Sequence, residues 1–312
     1  MKRSGAGRGP AARHRRLLAL GAALLMSVTG CTATGATPGA GTAGTTVLAT
    51  PSVPTVSGAV PRPDHVMLVI FENEDSTAVF GASTAPYLNT LAASGVAFTN
   101  AHGVAHPSQP NYVALFSGDT QGVADDSCPR SLSGPNLATE LVAAGHTFTG
   151  YSEDLPRAGY TGCSAGSYAR KHNPWADFAD VPAAMNQPLS ALPQDFSALP
   201  TVSVVVPNLC DDMHSCPVST GDVWARQHLA SYVSWAATHN SLLIVTFDED
   251  SGTFANRIPT LVVGPMVRPG KSTQTIAHYD VLRTLEDMYG LPPLGATRTV
   301  RPLTGIWGTS SG

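Results

Sequence analysis

The segment Leu242-Leu243-Ile244-Val245-Thr246-Phe247-Asp248-Glu249-Asp250 decides the fold class, because an apolar, β-branched run empties abruptly into three carboxylates. Its length suits a strand better than a helix, and unbroken apolarity suits burial on both faces of a parallel sheet. Three other runs read the same way: His65 to Phe71, Val202 to Val206 and Thr260 to Val263. Helix-spaced apolar residues mark Thr84 to Ser94, Pro135 to Ala144, Trp224 to Ala237 and His278 to Tyr289. The alternation predicts one α/β domain over residues 62–312, about 250 residues, long enough for a well-buried core.

The residues just past the end of each strand carry the chemistry. The first run ends in Glu72-Asn73, the second in Pro207-Asn208 and then Asp211-Asp212-Met213-His214, and the Leu242 run in Asp248-Glu249-Asp250. Open α/β sheets bind ligands beyond the carboxyl ends of their strands. Three strands delivering carboxylates and amides to one edge predict hard oxygen ligands around a divalent cation.

Composition narrows the function classes. Of 312 residues, 13% are charged and 43% hydrophobic, and 18 Lys+Arg face 22 Asp+Glu for a net charge of -4. That balance offers no basic surface for neutralising many phosphates and excludes a nucleic-acid partner. Basic residues crowd positions 2 to 16, an apolar run from Leu17 to Val28 follows, and Gly30-Cys31 closes it. This predicts a lipoprotein-type signal peptide over 1–30, since so short a core cannot span a bilayer that needs about 20 residues. Arg15-Arg16 leaves twin-arginine export open beside the general route. Cys31 would then be the lipid anchor, residues 31–61 a disordered Thr/Gly/Ala/Pro tether, and the protein exported to the outer face of the cell membrane or secreted. Export implies an oxidising compartment. Cys210 and Cys216 can close a small loop, leaving Cys128 with Cys163, although four cysteines allow three connectivities. A zinc site is the rival, disfavoured because no Cys-x-x-Cys spacing occurs.

Two serines compete as nucleophile. Gly162-Cys163-Ser164-Ala165-Gly166 fits the G-x-S-x-G pattern of a serine esterase or lipase, but that pattern needs a preceding apolar strand and none is there. Ser108, in His106-Pro107-Ser108-Gln109-Pro110-Asn111-Tyr112, reads as the N-cap of a helix with Pro110 in its first turn. A hydroxyl there lies where free N–H groups and the helix dipole favour an anion such as phosphate.

The ordered blocks Phe71-Glu72-Asn73, His106-Pro107-Ser108 with Asn111-Tyr112, Ala169-Arg170-Lys171-His172-Asn173-Pro174-Trp175, Pro207-Asn208 with Asp212-Met213-His214, Phe247-Asp248-Glu249-Asp250 and His278-Tyr279 resemble the acid phosphatase and phospholipase C group of phosphoesterases, within the alkaline phosphatase superfamily. The resemblance runs from about residue 64 to Trp307 and implies a three-layer α/β/α sandwich. It implies a divalent metal, of unknown identity, held by Glu72, Asn73, Ser108, Asp248 and Glu249, with Ser108 also the nucleophile. His172 and His214 would be catalytic and face the phosphate, with His214 protonating the leaving alcohol as a general acid, and Lys171, His106, Asn111, Asn208, Asp212 and His278 would be substrate-binding positions. Two departures stand out: Glu249 replaces an aspartate found in some relatives, and Cys210 and Cys216 bracket Asp211 to His214.

The implied activity is metal-dependent hydrolysis of phosphate monoesters, phosphoinositides or other lipid phosphates among them, through a phosphoserine intermediate. A phospholipase C-like phosphodiesterase is the close alternative on the same site. A serine esterase using Ser164 and a non-catalytic surface lipoprotein are the remaining readings.

Overall fold

The computed structural model describes residues 60–308. The signal peptide, Cys31 and nearly all of the tether fall outside them. The strands are β1 (His65–Phe71), β2 (Val96–His102), β3 (Phe148–Ser152), β4 (Ser164–Ala165), β5 (Tyr168–Ala169), β6 (Asn186–Pro188), β7 (Val202–Val206), β8 (Ser241–Phe247), β9 (Arg257–Val263), β10 (Gly270–Ser272) and β11 (Ile276–Ala277). The α-helices are α1 (Ser76–Val79), α2 (Pro86–Ser94), α3 (Ser108–Ser117), α4 (Leu137–Ala143), α5 (Val218–Ala236) and α6 (His278–Tyr289).

Nine strands form one sheet in the order β10-β2-β9-β8-β1-β7-β3-β6, with β11 also paired to β2. All four apolar runs read from the sequence are strands, and β1, β7 and β8 lie side by side and parallel at the centre. The fourth departs from the expected parallel direction, because β9 runs antiparallel to both β8 and β2. The physical reason is the short connection from β8, residues 248–256, which turns the chain straight back instead of crossing over through a helix. The carboxyl end of β9 therefore lies at the opposite edge from those of β1, β7 and β8. Strands β2 and β3 have mixed polarity (VAFTNAH and FTGYS) and were not among the predicted strands.

Helices cover both faces. On one, α5 packs against α2 and β8. Tyr232 donates to the Leu242 carbonyl at 3.0 Å, and the Asp222 carboxylate accepts from the Tyr87 and Leu88 amides that open α2, at 3.1 and 2.8 Å. A carboxylate satisfying those orphan amides favours the helix end through both hydrogen bonding and the dipole. On the other face α3 packs against α6, and α4 against β3 and α6. Every residue of α3 is buried, so this helix belongs to the core on all sides. It stops at Gly118, whose φ of 75° permits the left-handed cap and whose N–H bonds the Ala114 carbonyl. The architecture is the expected three-layer α/β/α sandwich.

Both disulfides link the expected cysteines, Cys128 with Cys163 and Cys210 with Cys216. They fasten the two irregular segments that flank the carboxyl edge of the sheet. No helix among the described residues is long and apolar enough to cross a membrane.

Candidate active site

Because residues alternate faces along a strand, Phe71 turns to the α5 layer, where it meets Trp224 edge-on at 5.7 Å. The next residue, Glu72, faces α3. Its Oε1 accepts from the Tyr112 hydroxyl at 2.5 Å and its Oε2 from the Ser108 hydroxyl at 3.0 Å. Ser108 Oγ also lies 3.1 Å from Glu249 Oε1, so the hydroxyl sits between carboxylates delivered by β1 and β8.

Ser108 is not the N-cap predicted from the sequence. Pro107 occupies that position in extended conformation, and Ser108 is the first helical residue. The one-residue shift matters chemically: an N-cap hydroxyl is spent on the second or third helical amide, whereas Ser108 Oγ is free to face the strand ends. The second helical amide, that of Gln109, is instead capped by Asp126 Oδ1 at 3.0 Å.

Asn73 adopts φ 55°, a left-handed conformation that asparagine tolerates better than most residues. In it the Asn73 amide donates to Asp248 Oδ1 at 3.1 Å while its side chain donates to Glu72 Oε2 at 3.2 Å, so β1 and β8 are tied at their ends. Glu72, Asn73, Ser108, Asp248 and Glu249 thus form one connected cluster. His278, 1% exposed, sits behind it with its ring at 2.6 Å from the Asp248 carbonyl. It faces protein on every side and braces the strand end, against its expected place as a substrate contact.

The loop after β7 supplies the other wall. Asp212 is fully buried, accepts from the His214 amide at 2.8 Å, and places Oδ2 3.1 Å from His172 Nδ1. Met213, between them, holds φ 81°, costly for a bulky side chain and concentrated where the site needs it. His172 stacks on Tyr112 at 5.0 Å, its Nε2 3.1 Å from Glu72 Oε1 but out of hydrogen-bonding alignment. His214, toward solvent, accepts from Lys171 Nζ at 3.1 Å.

Two other expected substrate contacts are engaged elsewhere. The Asn111 amide is taken up by the turn before α3, accepting from Val104 and Ala105 and donating to the Ala105 and Pro107 carbonyls. Asn208 caps the Cys210 and Asp211 amides and donates to Asp211 Oδ2. Both shape the loops that carry the reactive groups. His106 binds Glu249 Oε2 through Nδ1 and lies 3.1 Å from the Thr253 carbonyl, so it orients Glu249. Ser164, in a two-stranded surface hairpin, is exposed and has none of the strand-to-helix geometry of a nucleophile elbow.

Carboxylates are crowded and desolvated at this edge. Burial, reinforced by the neighbouring Asp212 charge, holds Glu72 well above the usual carboxylate range, and burial with the Glu72 and Glu249 charges does the same to Asp248. Burial pushes Asp212 up to about 8 and raises Glu249. So many desolvated carboxylates repel one another unless a cation or protons join them. Asp248 Oδ2 is buried with no hydrogen-bond partner, an orphaned hard oxygen where a cation ligand would be expected. The donor set therefore fits a divalent metal. A second grouping shares Glu72: it and ring nitrogens of His172 and His214 lie within 4.8 Å of one another. Burial, followed by the Lys171 charge, lowers His172 well below the histidine range and His214 to about 4, so both rings are neutral near pH 7.

Tyr112, Asp126 and Gln109 were not singled out by the sequence. Tyr112 looks like a core aromatic until the fold turns its hydroxyl onto Glu72, and Asp126 lies in a polar loop with no motif around it.

Comparison with known proteins agrees with this geometry. Residues 64–292 match the model of the Phosphoesterase family. The chain is 48% identical over 263 residues to a phosphatidylinositol-3-phosphatase of Mycobacterium tuberculosis, covering 83% of this chain and 88% of that one. It is 32% identical to a phosphate-repressible acid phosphatase of Penicillium chrysogenum over 67% of this chain, spanning 55% of the fungal protein's length. Among solved structures, an alkaline phosphatase superfamily protein of Vibrio parahaemolyticus superposes with a TM-score of 0.55 at 14% identity, over 78% of this chain and 71% of that one. A putative sulfatase of Bacteroides thetaiotaomicron gives 0.53 at 13% identity, over 78% and 74%. These two likenesses bear on the fold alone. A match over most of the domain, on a sheet edge that gathers a serine and its carboxylates, makes this chain a member of the phosphoesterase family and an enzyme of phosphate-ester hydrolysis.

Proposed function

We propose that this protein is an exported, metal-dependent phosphomonoesterase that works through Ser108, with lipid phosphates such as phosphoinositides among its substrates. The observation that carries the reading is the Ser108 hydroxyl itself: 1% exposed as a residue, unspent by helix capping, and set between Glu72 and Glu249. The phosphoinositide class rests on the name of the mycobacterial relative, and export on the N-terminal sequence.

Glu72, Asn73, Asp248 and Glu249, with Ser108 beside them, would hold the metal. When bound, such an ion supplies charge to a phosphoryl oxygen and acidifies a neighbouring hydroxyl. The residues of the chain provide the rest. Ser108 Oγ, its proton directed to a carboxylate, keeps a lone pair for in-line attack on phosphorus. The P–O bond to serine forms as the P–O bond to the alcohol breaks, and the leaving oxygen takes its proton at the solvent side from the Lys171 ammonium, in place of His214, which is neutral near pH 7 and accepts from Lys171. Tyr112 and Asp212 keep Glu72 and His172 in fixed orientation throughout. Water then attacks phosphorus from the vacated side, giving its proton to the Lys171 amine, as the Ser108 Oγ–P bond breaks and Ser108 recovers its proton from the carboxylate; phosphate leaves after two inversions, with net retention.

Replacement of Ser108 by Ala tests the proposal with an aryl phosphate in the presence of divalent cations. Loss of phosphate release with an unchanged melting temperature is expected, and full activity in the variant would remove Ser108 from the mechanism.

A further inference from the structure

The mechanism leaves one charged group beside the nucleophile unused. Asp126 presents its two carboxylate oxygens to two different parts of the site: Oδ1 accepts from the Gln109 amide at 3.0 Å and Oδ2 from Lys171 Nζ at 2.8 Å. Lys171 Nζ in turn lies 3.1 Å from His214 Nε2. Resting on the phosphoesterase reading above, we propose that Asp126 is a positioning residue, which sets the Lys171 ammonium against His214 at a fixed distance from the nucleophile.

Gln109 follows Ser108 directly, so its amide is rigidly related to the Ser108 hydroxyl through the first turn of α3. One carboxylate that grips this amide and the lysine ammonium fixes the cation relative to the attacking oxygen. Lysine carries a long, freely rotating stem and a point charge that does not by itself choose a direction. The bracket supplies the direction. An ammonium has donors only, so His214 Nε2 must accept, and the ring proton is kept on Nδ1, where Ser215 Oγ lies 3.1 Å away.

The surroundings hold both ends of the bracket. Gln109 Nε2 donates to Asp177 at 2.9 Å, and Asp177 pairs with Arg170, next to Lys171, also at 2.9 Å. Arg130 bonds Gln109 Oε1 and pairs with Asp125, next to Asp126. The Cys128–Cys163 disulfide joins the Asp126 loop to the segment that leads into Lys171, where the Arg170 amide bonds the Cys163 carbonyl at 2.9 Å. The Asp126–Lys171 pair itself remains partly exposed, at 30% and 19% of their side-chain surfaces. A pair so exposed adds little to stability, and its third contact is a histidine of the reaction site. Its geometry therefore serves the ligand.

The test is a double-mutant cycle of Asp126→Asn and Lys171→Met in the full chain. Asparagine still offers Oδ1 to the Gln109 amide, so the helix cap survives while the negative charge facing Lys171 is lost. Aryl phosphate turnover with a divalent cation and inorganic phosphate affinity by calorimetry are measured together. Asp126→Asn alone should raise KM and weaken phosphate binding by about tenfold, with a smaller change in kcat, yet cost under about twofold when Lys171 is already Met. Equal losses in both backgrounds, on KM and on phosphate affinity, would show that Asp126 acts as a cap only and overturn the proposal. Should the wild type bind phosphate with that coupling but turn over no ester, the phosphatase reading fails while the positioning role stands.

Discussion

Ser108 Oγ lies 3.0 Å from Glu72 Oε2 although 36 residues of chain separate the two. The contact exists because β1 ends at Phe71 and α3 begins one residue before it would if Ser108 were its cap. Glu72 therefore faces the helix, and the hydroxyl faces Glu72. The chemistry proposed for this enzyme depends on that meeting.

Replacing Ser108 by Ala should lower kcat for an aryl phosphate by about a thousandfold or more, in the range seen when an activated nucleophile is removed. Rapid quenching of the wild type with a labelled substrate should trap phosphate on Ser108, and its absence from that residue would argue against covalent catalysis.

Asp248→Asn should lower the metal retained after dialysis, measured by elemental analysis independently of activity, because it removes the orphaned Oδ2 charge. His172→Ala should leave most of the metal bound. Reversal of that order would move the ion to the grouping of Glu72, His172 and His214.

Glu286 is wholly buried and accepts from the Leu294 amide and the Thr297 hydroxyl, both at 2.9 Å. Burial pushes its carboxyl up to about 7 from an ordinary value of 4.5. The folded state thus binds this proton more tightly than the unfolded state, and its contribution is full below pH 4.5 and lost as pH rises toward 7. Denaturant melts across that window should show Glu286→Gln with a shallower fall in stability than wild type, by about 1–3 kcal/mol over the interval. Parallel slopes would show that Glu286 is ionised in the fold throughout.

The two disulfides should differ in worth. Cys128–Cys163 spans 35 residues and Cys210–Cys216 spans 6. Loop-closure entropy then assigns about 4 kcal/mol to the first and about 2 kcal/mol to the second. Paired Cys→Ser variants compared by chemical denaturation check this. The shorter bridge should matter more to turnover than to stability, since it closes the loop that carries Asp212 and His214.

The sequence by itself determined the central strands and the chemistry at their ends. Continuous β-branched runs at His65, Val202 and Leu242 have one stable home, a sheet buried on both faces, and the polar residues at their ends must then emerge at its edge. It also named Ser108, because proline and serine at a helix start are a local signal. Local signals end there. The antiparallel course of β9 depends on how the connection of residues 248–256 folds back, and β2 and β3 are strands through their neighbours more than through their own polarity. Which polar side chains face the reaction and which hold loops together was decided by tertiary contact alone. Asn111, Asn208 and His278 look like ligands by residue type, yet the two asparagines spend their side-chain hydrogen bonds on backbone or loop groups around them and His278 turns Nε2 to the Asp248 carbonyl. Tyr112 and Asp126 carry no such signal, and packing places one on Glu72 and the other between Gln109 and Lys171. A hydrogen bond requires distance and direction together, and those are set only when strands and helices from distant parts of the chain are packed against one another.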